Sequence, residues 1–178
     1  MTTTYGPSND RIPAGELTLS KHMARIELDN AKLATATPAQ KRVIIAKDVL
    51  SWLKLGKLRA QPGTYLSVTD SNDRWIPDAA KVNGWACNAC ALGAVFAVAV
   101  ERNLVNASCS ETPDFSMRSL LTLYFARDQL LAIENAFEMW THKAGGRFCS
   151  GRGYSEDPSL RMEAIMKNII THRGTFVY

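Results

Sequence analysis

The segment that most constrains the fold is residues 89–100, "ACALGAVFAVAV", which contains no charged, amide or hydroxyl side chain. A helix that is apolar on every side is stable only when other elements surround it. Spanning a bilayer takes roughly 20 such residues, and Glu101 and Arg102 end this run early. The expectation is a central core helix over about residues 86–104. With 178 residues and 46% hydrophobic composition, the chain is long enough to build one core around it.

Other helices are marked by their ends. Thr37 can cap and Pro38 suits a first helical position, and the periodicity after them places Val43, Ala46, Val49, Leu50 and Leu53 on one face up to Gly56. Two more helices fit "SMRSLLTLYF" and "RDQLLAIENAFEMWTHK", the second with Leu130, Ile133, Phe137 and Trp140 as its apolar stripe. Asp157, Pro158, Arg173 and Gly174 punctuate a last helix, followed by "TFVY" as a short strand or docked tail. Between the first two helices, residues 64–68 and Trp75-Ile76 flank an "SND" turn and read as a small hairpin. Residues 16–34 mix strand-like and helix-like patterns. The fold class that results is mainly α (α+β), one domain over residues 16–178 of about five helices and a small β-hairpin element, after a flexible tail over 1–15.

Cys87-x-x-Cys90 has metal-ligand spacing, but zinc sites usually combine two such pairs, and Cys109 and Cys149 stand alone. On a helix, Cys87, Ala91, Ala94 and Val98 share a side rich in small residues, and cysteine itself packs as a small hydrophobe. Packing is therefore the expected role. Cys87 and Cys90 remain the only metal candidates, and neither a metal nor a cofactor is required. A redox reading of the pair wants a strand and a parallel sheet, which the sequence does not indicate. Four cysteines without a secretion signal fit free thiols.

The most function-like stretch is residues 145–155, "GGRFCSGRGYS". Arg147 and Arg152 with glycine amides suit a phosphate, and Phe148 or Tyr154 suits a stacked base. No Gly-Lys-Ser/Thr pattern accompanies it. Cys149, His142 and Glu134 form a possible nucleophile, base and orienting acid by residue type, and Glu134 with Glu138 a carboxylate pair. Acids on adjacent turns of an amphipathic helix are ordinarily solvated. The first 60 residues carry ten Lys/Arg against five Asp/Glu. Lys47 and Lys54 lie on the outer face of the first helix, where an anionic partner or nucleic acid can meet them.

Three segments, "ACALGAV", "LLAIENAFE" and "RMEAIMKNIITHRGTF", resemble in order small uncharacterised accessory proteins of tailed bacteriophages and prophages, over residues 40–178. The resemblance carries no catalytic residue. It implies a viral protein working in the host bacterial cytoplasm, of the kind that binds and disables a host or defence component. The leading expectation is thus a non-enzymatic binding protein that inhibits or redirects a bacterial host or defence protein, without membrane association. Its contacts are expected at Lys47, Lys54, Arg147, Phe148, Arg152 and Tyr154. A nucleotide-binding or nucleotide-modifying protein using loop 145–153 is the alternative, and a nucleic-acid-binding accessory factor is the second.

Overall fold

The structure, a computed structural model, describes residues 32–69, 75–76, 87–105, 113–138, 142–144, 147–149 and 154–177. The chain forms two compact units, Met1–Thr35 and Ala36–Tyr178. Of the first, residues 32–35 form a helical turn; most of the ambiguous segment 16–34 and the expected tail boundary lie outside the described residues. All the remaining elements belong to the second unit.

Five helices are described there: α1 (Pro38–Lys54), α2 (Ala91–Glu101), α3 (Pro113–Leu121), α4 (Arg127–Glu138) and α5 (Pro158–Thr171). Strands β1 (Leu58–Ala60), β2 (Leu66–Thr69), β3 (Trp75–Ile76) and β4 (Cys87–Ala89) form one sheet in the order β1-β4-β2-β3. Strands β5 (His142–Ala144) and β6 (Arg147–Cys149) form a second. The architecture is mainly helical with a minor β component. Among the described residues, no helix is long and apolar enough to cross a membrane.

Local chemistry accounts for the helix ends. At α1, Gln40 N–H donates to Thr37 Oγ1 (3.3 Å) while Thr37 N–H donates to Gln40 Oε1 (2.8 Å), a reciprocal capping box ahead of Pro38. Past its other end Gly56 takes φ +71°, which closes the helix without strain. At α5, Asp157 Oδ1 accepts from Ser159 N–H (2.7 Å) and Leu160 N–H (3.1 Å). Gly174, at φ +94°, donates its N–H to Ile169 O at 2.7 Å.

The central helix is where it was expected, but it begins later. Residues 91–99 of α2 are all buried, whereas Cys87 and Ala89 belong to β4, and Cys90 is the N-cap. The reason is non-local: β4 pairs in parallel with β1 (Leu58↔Cys87, Ala60↔Ala89) and antiparallel with β2 (Leu66↔Ala89, Val68↔Cys87). Cys87 therefore does not share a helix side with Ala91, Ala94 and Val98. The β2–β3 pair, with Val68 opposite Ile76, is the hairpin anticipated from the "SND" turn.

On α1 the fully buried residues are Ile45, Ala46, Val49 and Trp52; Leu50 and Leu53 are only partly covered. Packing by both α2 and α5 widens and rotates the buried arc. On α4, Leu130, Ile133 and Phe137 are buried as the stripe requires, and Trp140 lies outside the described residues. Residues 142–144 and 147–149, read as part of a helix and a glycine-rich loop, instead form the antiparallel β5–β6 pair, with Ala144 opposite Arg147. A Gly-Gly pair between two short runs is a hairpin signal.

The C-terminal segment is docked. Gln129 accepts from Phe176 N–H (2.7 Å) and donates to Phe176 O (3.1 Å), as a neighbouring strand would. Asn168 treats Val177 likewise, at 2.9 and 2.6 Å.

One contact sets how α2 meets the sheet side. A Cβ on Gly93 would stand 1.3 Å from the carbonyl oxygen of Tyr65. Gly93→Ala is expected to cost about 3 kcal/mol, the upper end of overpacking, because the obstacle is backbone. Gly63→Ala, at φ +72° with nothing within 4 Å of the added carbon, is expected to cost only about 1–2 kcal/mol. Urea unfolding midpoints of the two variants check this ordering.

Candidate functional site

The close approach at Gly93 brings Tyr65 over the helices. Its ring reaches the space between α3 and α4, where Tyr65 Oη donates to Glu134 Oε1 at 2.5 Å. Arg118, in the last turn of α3, donates from Nη2 both to Glu134 Oε1 and to Tyr65 Oη, each at 2.5 Å. Its guanidinium also lies over the Tyr65 ring, 5.6 Å from the centroid. Glu134 is 3% exposed and Arg118 is 45% exposed. The carboxylate is thus the buried anchor and the guanidinium is the half that meets water.

Glu134 corrects the expectation of solvated acids. It follows Leu130 by four residues and precedes Phe137 by three, so it lies inside the apolar stripe of α4, and that position was the available signal. Glu138 is half-buried one turn further on and accepts from Gly63 N–H at 2.8 Å. Two carboxylates of one helix therefore fasten the segment before β2, one through Gly63 and one through Tyr65.

Burial, together with the Glu134 hydrogen bond, pushes the Tyr65 phenol up to about 12, so at neutral pH it donates and is no base. Desolvation also raises Glu138, with the Gly63 amide working against it and the Glu134 charge adding to it. Beside this cluster a cleft of about 940 Å³ opens, lined by residues of α2, α3 and α4 that include Arg118 and Glu134.

The thiols behave as packing groups. Cys87 and Cys90 are each 2% exposed. Burial raises Cys87 to about 11, and raises Cys90 to about 12 even though the Gly93 and Leu92 amides favour its thiolate. The strand and parallel pair that a redox reading wants are both present, yet a reactive thiol needs a lowered pKa and access, and these two have neither. Among the described residues, no group of three or more His, Cys, Asp or Glu is placed to hold a metal.

The other sequence candidates are dispersed. Arg147 and Phe148 are in β6, opposite Ala144 and Lys143; Arg152 lies outside the described residues. Tyr154 is half-buried, with its ring stacked on Phe176 at 6.4 Å between centroids, so part of its aromatic surface is already used by the core. His142 and Cys149 are register partners, while Glu134 is occupied by Tyr65 and Arg118 instead of orienting a histidine. Lys47 and Lys54 are exposed on α1, as expected.

A second groove, of about 640 Å³, runs along the end of α1, β1 and the start of α5. Its lining includes Leu50, Leu53, Lys54, Arg59 and Leu160. Comparison of the chain with protein-family models, with curated proteins and with solved structures finds no match.

Two outcomes are expected. Glu134→Gln removes the charge that Arg118 meets, and because that guanidinium is partly solvated the loss should be about 2 kcal/mol by urea unfolding, less than for a fully buried pair. In a Cys109→Ser/Cys149→Ser background, Cys87 and Cys90 should resist a thiol reagent at pH 8 until the protein is unfolded. Their folded pKa values, about 11 and about 12, lie above the unfolded value of about 8.5. The unfolded state then holds fewer protons at alkaline pH, so stability is retained below about pH 8.5 and falls as pH rises towards the folded values. Unfolding midpoints from pH 7 to 10.5 measure that decline.

Proposed function

We propose that the protein is a non-enzymatic binding protein, a phage-encoded factor that engages a bacterial host or defence protein in the host cytoplasm and inhibits or redirects it. The observation that carries this reading is the α1–α5 groove. Leu55 and Leu160 are 67% and 55% exposed, and Leu160 lines the groove with Lys54 and Arg59. Lys47 and Lys54 stand seven residues apart, with Leu50 between them on the same side of α1.

Glu163, the acid of this groove, is paired with Lys167 at 2.6 Å. The uncompensated charge along the rim is therefore positive. Exposed leucines bordered by lysine and arginine fit a protein segment that presents apolar side chains flanked by carboxylates. Tyr65 and Glu134 are held by each other and by Arg118, and Cys87 and Cys90 are buried, which favours recognition over catalysis.

Affinity capture from bacterial lysate should recover a partner in near-stoichiometric amount with the native chain. The Lys54→Glu/Leu160→Glu double variant should lose at least about tenfold of it, the scale of a modest hot spot, with an unchanged melting temperature. Undiminished capture by that variant overturns the groove assignment. Loss instead in Arg147→Ala/Arg152→Ala moves the contact to residues 145–155.

A further inference from the structure

The cleft between α3 and α4 is distinct from the α1–α5 groove, and their described lining residues do not overlap. Its size, about 940 Å³, lies within the ~300–1,000 Å³ range of small-molecule sites. Its lining divides by chemistry. Leu131, 39% exposed, presents the aliphatic surface, with the buried Leu92 and Leu130 adjoining the cleft, and Arg118, Arg127, Ser119 and Thr122 supply polar groups.

Hydrogen-bonding capacity in the cleft is weighted towards donors. Arg118 spends only Nη2 on Tyr65 and Glu134, so among the described residues its Nε and Nη1 keep their hydrogens free. Arg127 is exposed and has no acceptor among the described residues. The Thr122 hydroxyl donates to Ser119 O at 2.5 Å. Of the two acids, Glu134 has its charge matched by Arg118, and Asp128 gives one oxygen to Gln129 N–H at 2.9 Å.

The guanidinium of Arg118 is also fixed in direction. Tyr65 and the buried Glu134 grip one nitrogen, and the guanidinium carbon lies over the tyrosine ring. A fork held from behind in this way loses little freedom when a planar or tetrahedral anion docks on its open edge.

We propose that this cleft is a binding site for an aliphatic molecule carrying an anionic head group. The head group accepts from Arg118 and Arg127, and the hydrocarbon lies against Leu131. No aromatic side chain is among the described lining residues, so a nucleobase has nothing to stack on there. Tyr65 and Glu134 act as positioning residues behind Arg118.

The test is calorimetric titration of the full chain, below micelle-forming concentrations, with decanoate, decyl phosphate, decanol and AMP. Decanoate or decyl phosphate should bind at least tenfold tighter than decanol and AMP, and whichever is tighter identifies a carboxylate or a phosphate head. Arg127→Gln should weaken the tighter ligand about tenfold, and Leu131→Glu should abolish its binding. Both positions are exposed enough to leave the melting temperature unchanged. Arg118→Lys keeps the charge but loses the fork, and should weaken binding while preserving the fold. Equal binding of decanol overturns the head-group assignment. Tighter binding of AMP, no binding by any of the four, or full affinity in both Arg127→Gln and Leu131→Glu overturns the site.

Discussion

Removing nine consecutive residues of α2 from water is the requirement around which the unit is arranged. No single neighbour can cover a helix on all sides. Here α1, α3 and α4 each pack against it, together with β1, β2 and β4. Each large side chain it hides, such as Leu92, Val95 or Phe96, contributes about 1.5–3 kcal/mol through burial. The small residues between them let neighbours approach closely, and Gly93 is the extreme case because a backbone carbonyl rests on it. That contact is local in space but sets the position of Tyr65, and through Tyr65 the pairing of α3 with α4.

Around this apolar centre, polar side chains work mainly on loose backbone ends. Arg42 donates to Gly174 O and Tyr124 O, at 2.5 Å each, joining α1 to the turns after α5 and α3. Arg161, 4% exposed, donates to the carbonyls of Ser155, Glu156 and Phe137 and lies over the Phe137 ring. It thereby finishes α4 and fixes the approach to α5 together. Arg102 meets Asp48 at 2.8 Å, tying the end of α2 to α1. Asn135 is the exception: it is fully buried, and neither its Nδ2 nor its Oδ1 has a hydrogen-bond partner among the described residues. Such a group costs about 1–3 kcal/mol.

Legibility in the sequence tracks the range of the interaction. Thr37-Pro38, Asp157-Pro158, Gly56 and Gly174 act within a turn of themselves, and the helix limits they imply are those observed. The start of α2 falls later than its apolar pattern implies because Cys87 is held by Leu58, a partner 29 residues earlier, in strands of only three residues. The candidate site is less legible still. Nothing near Glu134 announces that Tyr65 and Arg118 will close over it, although its place within an apolar stripe is a clue. Lys47 and Lys54 are readable as exposed from helical spacing alone, but the groove beside Lys54 needs α5 to be in place.

The pairing of α1 with α5 bears on how the chain reaches this state. Among the described helices these two make the most extensive contact, and the Arg42–Gly174 bond spans 132 residues. A cylinder whose first and last staves touch is completed only when the last stave arrives. During synthesis at about 5–20 residues per second, the face of α1 that α5 covers waits several seconds for its partner. In that interval the apolar residues of α1 that α5 later covers stand open to water, a surface that the finished molecule never shows.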